Sequence, residues 1–548
     1  MVFNTSLVKC SPLEEISIAA AGGLASHLCF FIYGEHHMKA PLIFRLYVVL
    51  FAALIYVEIA VKHQNVFPGT KQAFEVFAVY TLSLLTSIFI YRRYCHRLRH
   101  FPGPFMASVT KLWQTTNTLD SQNHILLDGL HKQYGDFVRT GPTEVTIFTP
   151  EVKWAVDGPA NQCNKAVWYD ILLPLIALNT SRSKKEHDQR RRTWDHAFTL
   201  KALEGYELRI QKHGRLLEKH IAENAGKPID VSTWFYFLSF DVMGDFAFAK
   251  SFNMLEDKEW HYSVLMLRRA LNLLGPLSSV PWLVQLAFSF PIIPIVRDWN
   301  RMIDWCADRM QDRIQTEVDK PDISSWLIDG SKRNNSLEQD RFWLNGDSVA
   351  LIVAGSDTVA STMIYLFYRL ALERRHAVII REEIDKVDSI FDPQALKGLD
   401  HLNGAINEVL RLHPSVPTGG YRESPPQGVE IAGRFIPGNT TIVSPRYTMG
   451  RLDKSFARAS EFIPERWYSC PELVADKRAF TPFSIGRFAC VGKNLALAEL
   501  RFVAALLVSK YDINFAPGED GARCWRDMKD QFTAAPGKLE LVFTRREG

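Results

Sequence analysis

No part of this chain restricts its fold as tightly as residues 482–496, which read PFSIGRFACVGKNLA. A single cysteine, Cys490, lies between Gly486 and Gly492, with Phe483 ahead of it and an amphipathic helical pattern behind. A thiolate in a glycine-rich turn at a helix N-terminus is stabilised by the helix dipole and by backbone N–H groups. Glycines let the backbone approach a flat macrocycle closely. Phe483 can cover the sulfur side and exclude water. The same residues also allow a buried structural cysteine, the usual state of a lone thiol.

The rest of the chain decides which setting this cysteine has. Its 548 residues are 47% hydrophobic and 23% charged, the composition of a large globular core. A net charge of +4, with no lysine-rich tail, gives no footprint for nucleic acid. The eight cysteines are scattered and form no CxxC pair, so neither a zinc ribbon nor a disulfide framework is indicated. A reduced, cytosol-facing catalytic part is expected.

Three apolar stretches come first, at about 16–33, 46–61 and 76–91. Each is near or slightly below the roughly 20 residues a membrane span needs. The second is marred by Glu58, and the third reads as the cleanest. Buried core helices are the alternative. A cleaved leader is disfavoured, because Glu14 and Glu15 precede the first stretch where a basic region should stand. Arg92, Arg93, Arg97 and Arg99 follow the third stretch, a cluster that favours the cytosolic side. These features divide the chain into a membrane anchor over 1–100, with up to three hydrophobic segments, and one large domain over 101–548.

Within that domain helical patterns dominate, at 203–222, 292–318, 347–372 and 495–508. Short β-type runs stand at 144–148, 429–431, 441–444 and 539–543. The expected class is mainly α with a minor β-sheet. The proline-broken apolar segment 276–282 reads as a core loop or as a second contact with the membrane surface.

Two further motifs carry chemistry or support it. In the helical pattern ALIVAGSDTVAS, Ala354 and Gly355 leave little side-chain bulk. The Thr358 hydroxyl can bond back to the Ala354 carbonyl and bend the helix. Glu408 and Arg411 share a helix face in Glu-Val-Leu-Arg and can form an ion pair.

Together these segments resemble the cytochrome P450 superfamily, over roughly residue 102 to the C-terminus. The family's haem-binding signature is Phe-x-x-Gly-x-Arg-x-Cys-x-Gly, and Phe483, Gly486, Cys490 and Gly492 match it. Phe488 stands where the family has arginine, with Arg487 one step earlier. Four signals follow in the family's order: the Ala-Gly-Ser-Asp-Thr helix, Glu408-x-x-Arg411, Phe462-x-Pro-Glu-Arg466, and the cysteine loop. The FPGP segment and basic anchor resemble microsomal members, and FDVMGDFAF and HDQRRRTWDHAF resemble fungal ones.

The resemblance implies a cytochrome P450 fold behind N-terminal transmembrane helices, with haem b held by Cys490 as axial ligand to the iron. It implies that Asp357 and Thr358 relay protons to bound oxygen. His187, Arg191 and Arg422 are implied as propionate partners, with Phe483, Gly486 and Gly492 shaping the cysteine loop. A surface role for Arg487, facing the electron donor, is favoured over a propionate contact. Glu408, Arg411 and Arg466 are implied to form a structural cluster. The implied reaction inserts one oxygen atom from O2 into a hydrophobic substrate, a fungal secondary-metabolite intermediate. Electrons come from NADPH through the flavins of a separate NADPH–cytochrome P450 reductase, with cytochrome b5 a further candidate donor, at the endoplasmic reticulum membrane with the catalytic domain in the cytosol. Pocket candidates by resemblance are 171–178, 416–420 and 532–534. Competing readings are a detoxifying aromatic hydroxylase, a haem-thiolate isomerase or dehydratase needing no reductase, and a haem carrier or gas sensor. The Asp357-Thr358 pair argues against the last two.

Overall fold

The structure is a computed structural model and describes residues 11–546. The N-terminal part is built from α1 (Pro12–Ser26), α2 (Ala40–Tyr56) and α3 (Val66–Ile90), each extended by a short π-helical turn. Ser11 caps α1 by accepting from the Glu14 N–H, and the Glu14 carboxylate accepts in return from the Ser11 N–H at 2.7 Å. Of this region, the helical runs His37–Val61 and Val66–Cys95 are long and apolar enough to cross a membrane. The first stretch is not among them, so two crossings rest on length and composition where three were expected as the upper bound. The second stretch, not the third, is the more apolar. Glu58 is tolerated there because it is buried against Lys62, at 2.6 Å.

The large domain is organised around α6 and α8. In chain order its principal helices are α4 (Lys184–Ala197), α5 (Leu200–Glu223), α6 (Val231–Phe248), α7 (Pro294–Gln315), α8 (Arg341–Leu372), α9 (Asp400–Leu412) and α10 (Lys493–Lys510). α6 is apolar around nearly its whole circumference, and such a helix has to be buried. It packs along α8, which begins six residues before the expected 347 because Phe342, Trp343 and Leu344 continue the apolar pattern without a proline. Close approach is needed where they cross. A Cβ at Gly355 would come within 2.5 Å of the Met243 sulfur. The Ser239 hydroxyl donates to the Ser356 carbonyl at 2.9 Å.

The main sheet runs β1-β2-β5-β4-β3, from β1 (Phe137–Gly141), β2 (Glu144–Ile147), β3 (Asn164–Lys165), β4 (Tyr421–Glu423) and β5 (Thr441–Val443). Only β2 and β5 pair in parallel. The β3–β4 pairing sets Lys165 opposite Arg422. A hairpin, Lys529–Gln531 with Thr533–Ala535, packs against α8. All four expected strands are present within a residue or two, whereas β1 and β4 left no readable alternation. Segment 276–282 is neither a plain loop nor buried throughout. It leads into the short helix Pro281–Phe288, which packs against α2, with Trp282, Phe290 and Ile292 exposed nearby.

Candidate active site

The cysteine loop is closed by its own backbone. The Cys490 N–H donates to the Phe483 carbonyl at 2.8 Å, and the Ala489 N–H donates to the Gly486 carbonyl at 3.1 Å. Gly486 has φ +62°, and a Cβ there would lie 2.1 Å from the Asp157 carbonyl oxygen, so only glycine fits. The loop is tied down by Ser484, whose hydroxyl donates to Asp157 at 3.0 Å, and by Arg191, which donates to the Ala489 carbonyl at 2.7 Å. Cys490 is surrounded by protein, yet its side chain retains accessible surface. Burial pushes its thiol up, while the Gly492 N–H, Arg191, Arg446 and Lys493 pull it down.

The central turns of α8 show a matching feature. This helix is buried along most of its length, but Ala354 is exposed and Gly355 and Thr358 are partly so. The Thr358 hydroxyl donates to the Ala354 carbonyl at 2.7 Å, the back-bond expected from the sequence. Asp357 points elsewhere, into the core. Its Oδ2 accepts from the Thr533 hydroxyl at 3.3 Å, and burial pushes its carboxyl up to about 6 against the pull of Arg268 and Thr533.

Arg422, Lys165 and His187 gather around Phe488. The Arg422 guanidinium lies 4.6 Å from the ring centroid, Lys165 Nζ lies 5.0 Å away, and the His187 ring meets it edge-on at 5.1 Å. The aromatic ring that replaces the signature arginine thus packs between a buried arginine and a buried lysine. Arg422 donates to Asp157 at 2.5 Å and to the Tyr169 hydroxyl at 3.1 Å. Lys165 donates to the Leu178 carbonyl at 2.9 Å and has no carboxylate partner among the described residues. Burial and the nearby Arg422 hold its ammonium well below the usual lysine range. Arg446, close enough to feel Asp157, Arg422 and Cys490, has a buried Nε with no partner among the described residues. Arg487 lies at the surface instead, donating to Asp188 at 2.6 Å.

These orphaned cations test whether haem fits. A flat group bearing two carboxylates would supply the anions that Lys165 and Arg446 lack, beside a glycine turn that offers a thiol. The residues present fit. Lys165 and Arg446 were missed in the sequence, where one lies in a strand of only two residues and the other just after a short strand. Nothing local marks a lysine or arginine as buried without an anion. Of the expected propionate partners, Arg422 and His187 join this group, whereas Arg191 turns to the cysteine loop.

Glu408, Arg411 and Arg466 meet as expected. Arg411 binds Glu408 with two hydrogen bonds of 2.6 and 2.8 Å, Arg466 adds one at 2.9 Å, and the Trp467 indole N–H adds another at 2.9 Å. All three charged side chains are fully buried, which makes the cluster part of the frame.

Comparison with known proteins agrees with this geometry. The cytochrome P450 family profile matches residues 102–543. Tryprostatin B 6-hydroxylase of Aspergillus fumigatus is 37% identical, over 99% of this chain and 98% of its own. The cytochrome P450 monooxygenases FCK2 of Fusarium pseudograminearum and lcsK of Purpureocillium lilacinum are each 36% identical, the first over 96% of both chains, the second over 97% of this chain and 98% of its own. The crystal structure of the cytochrome P450DA haem domain superposes with a TM-score of 0.67 at 17% identity, covering 78% of this chain and 94% of that one. A cysteine in a glycine turn, a central helix opened at Ala354 and a matching profile over four-fifths of the length converge: this chain belongs to the cytochrome P450 family, as a monooxygenase similar to fungal members.

Proposed function

We propose that the protein hydroxylates a hydrophobic secondary metabolite, with electrons delivered from NADPH by a separate reductase. The observation that carries this reading is the pairing of an accessible Cys490 with the orphaned cations Lys165 and Arg446. Cys490 would hold the haem iron, with Phe483, Gly486 and Gly492 shaping its turn. Arg422, Lys165, His187 and Arg446 would hold the propionates, while Arg191 braces the loop through Ala489. Haem, when bound, supplies the activation of O2, and the thiolate pushes electron density that favours O–O cleavage.

The chain's own residues supply position and protons. Ala354 and Gly355 leave room for a diatomic molecule beside α8. Thr358 Oγ1 holds a proton at that opening, and Asp357, whose raised carboxyl now rests against Thr533, would act as a donor by turning from the core. Two electrons and two protons enter per O2, one oxygen leaves as water, and the other is inserted into the substrate. The apolar residues of 171–178, with 416–420 and 532–534, would bind an apolar substrate. The name of one relative, a tryprostatin B 6-hydroxylase, suggests hydroxylation as the outcome here as well.

The 1–100 segment would anchor the enzyme in the endoplasmic reticulum membrane through α2 and α3, with domain 101–548 in the cytosol and Arg487 on the surface met by the reductase. In the reduced protein, carbon monoxide should produce the absorption band of thiolate-ligated haem. Cys490→Ala should abolish it and Cys470→Ala should not. A normal band in Cys490→Ala overturns the assignment.

A further inference from the structure

The three N-terminal helices form one unit. A Cβ at Gly23 would fall 2.3 Å from the Tyr80 carbonyl oxygen, so α1 and α3 touch backbone to backbone. Ser83 donates to the Ala20 carbonyl at 2.6 Å, Tyr80 to the Ser26 hydroxyl at 2.8 Å, and the Tyr47 and Tyr80 hydroxyls meet at 3.0 Å. Such a unit is stiffer than a tether, and its position can be passed on to whatever it touches.

What it touches is the 164–182 segment, which includes the pocket candidates 171–178. The turn between α1 and α2 carries Glu35 and His37. Arg182 binds Glu35 in bidentate fashion, at 2.8 and 2.6 Å, and also binds Asp170 at 2.7 Å. Its Nε donates to the Lys165 carbonyl at 3.1 Å. His37 Nε2 lies 2.9 Å from the same Asp170 oxygen. Asp170 belongs to the turn Val167–Leu172, whose inner side holds Trp168 stacked on Phe532 at 4.3 Å and Tyr169 bonded to Arg422. One face of the 164–182 segment is therefore held by the membrane unit, and the other faces the cations and the apolar pocket residues.

We propose that the membrane unit positions this segment: Glu35 and His37 hold Asp170 and Arg182, and through them the stretch bearing Lys165, Tyr169 and residues 171–178. They are positioning residues, and the idea rests on the reading of 171–178 as pocket. Charge-assisted contacts are the kind whose loss is felt locally, and here the exposed Glu35 binds an Arg182 that is itself largely buried against Asp170, while His37 meets Asp170 out of solvent. The interaction links residues separated by more than a hundred positions, joining an anchor to a binding site rather than merely to a surface.

The test uses full-length protein in phospholipid nanodiscs, comparing wild type with the double variant Glu35→Ala/His37→Ala. Amide exchange over 164–182 should quicken about tenfold, while α9 and α10 stay unchanged. Phenylimidazole, used as the spectral probe, should dissociate faster, with the carbon monoxide band and membrane residence retained. Equal exchange over 164–182 in both proteins, with a normal band, overturns the proposal. A missing band in wild type would instead sink the functional reading, and faster exchange would still support the clamp. Should the double variant lose the band altogether, Glu35→Gln decides by the same exchange measurement: faster supports the clamp, unchanged refutes it.

Discussion

Restoring the family signature by Phe488→Arg should weaken this protein rather than improve it. The Phe488 ring stands 4.6 Å from the Arg422 guanidinium and 5.0 Å from Lys165 Nζ. Its removal forfeits two cation–π contacts, each worth about 0.5–2 kcal/mol. A guanidinium in its place sits about 5 Å from Arg422, a repulsion of roughly 3 kcal/mol at an effective dielectric of about 20, and it disfavours the Lys165 ammonium further. The new side chain can swing outward, so the expected net loss is on the order of 2–4 kcal/mol. The loss should be larger without haem, whose propionates would screen the repulsion. Thermal unfolding of apoprotein and haem transfer to a scavenger protein measure both states. Adding Lys165→Met should recover part of the loss, because the new guanidinium then has one basic neighbour fewer. A single Phe488→Arg variant that unfolds at the wild-type temperature and keeps haem equally well would refute this reasoning.

Thr358→Ala should keep haem and substrate but divert electrons to peroxide or water, read as product per NADPH consumed. Asp357, raised to about 6, is protonated below that pH, so coupling should fall as pH rises through about 6 and lose this dependence in Asp357→Asn. Arg466→Met leaves Glu408 short of a partner in the buried cluster and should destabilise by roughly 3–5 kcal/mol, seen in chemical or thermal unfolding. Glu499 is buried without a hydrogen bond to its Oε1, and its carboxyl is pushed up to about 8. Its unfolded form ionises near 4.5, so stability is lost as pH rises from there to about 8, by about 3 kcal/mol at pH 7, and Glu499→Gln should flatten that slope. Arg487→Ala should slow reduction by the reductase without loosening haem, whereas Arg422→Ala should loosen haem; the opposite pattern would reverse their roles.

Much of this protein is determined by contiguous stretches. The turn around Cys490 needs its glycines for backbone reasons that neighbours in sequence already state, and the Thr358 back-bond follows from spacing along one helix. Glu408 and Arg411 meet because three residues make a shared face. The long apolar helices α2, α3 and α8 are likewise visible as composition, although composition cannot say that α8 is core while α2 and α3 are membrane candidates. Burial depends on what packs outside the segment. The same limit hid Lys165 and Arg446, since a cation shows itself as orphaned only when every neighbour is in place. It hid the turn of Arg191 toward Ala489 and the pairing of Arg487 with Asp188, both set by where α4 lies against the loop. The ion pair of Glu35 with Arg182 likewise joins segments far apart in the chain. Local physics wrote the chemistry of the loop and the helix, while electrostatic partnership between distant segments existed only once the tertiary structure had brought the charges together.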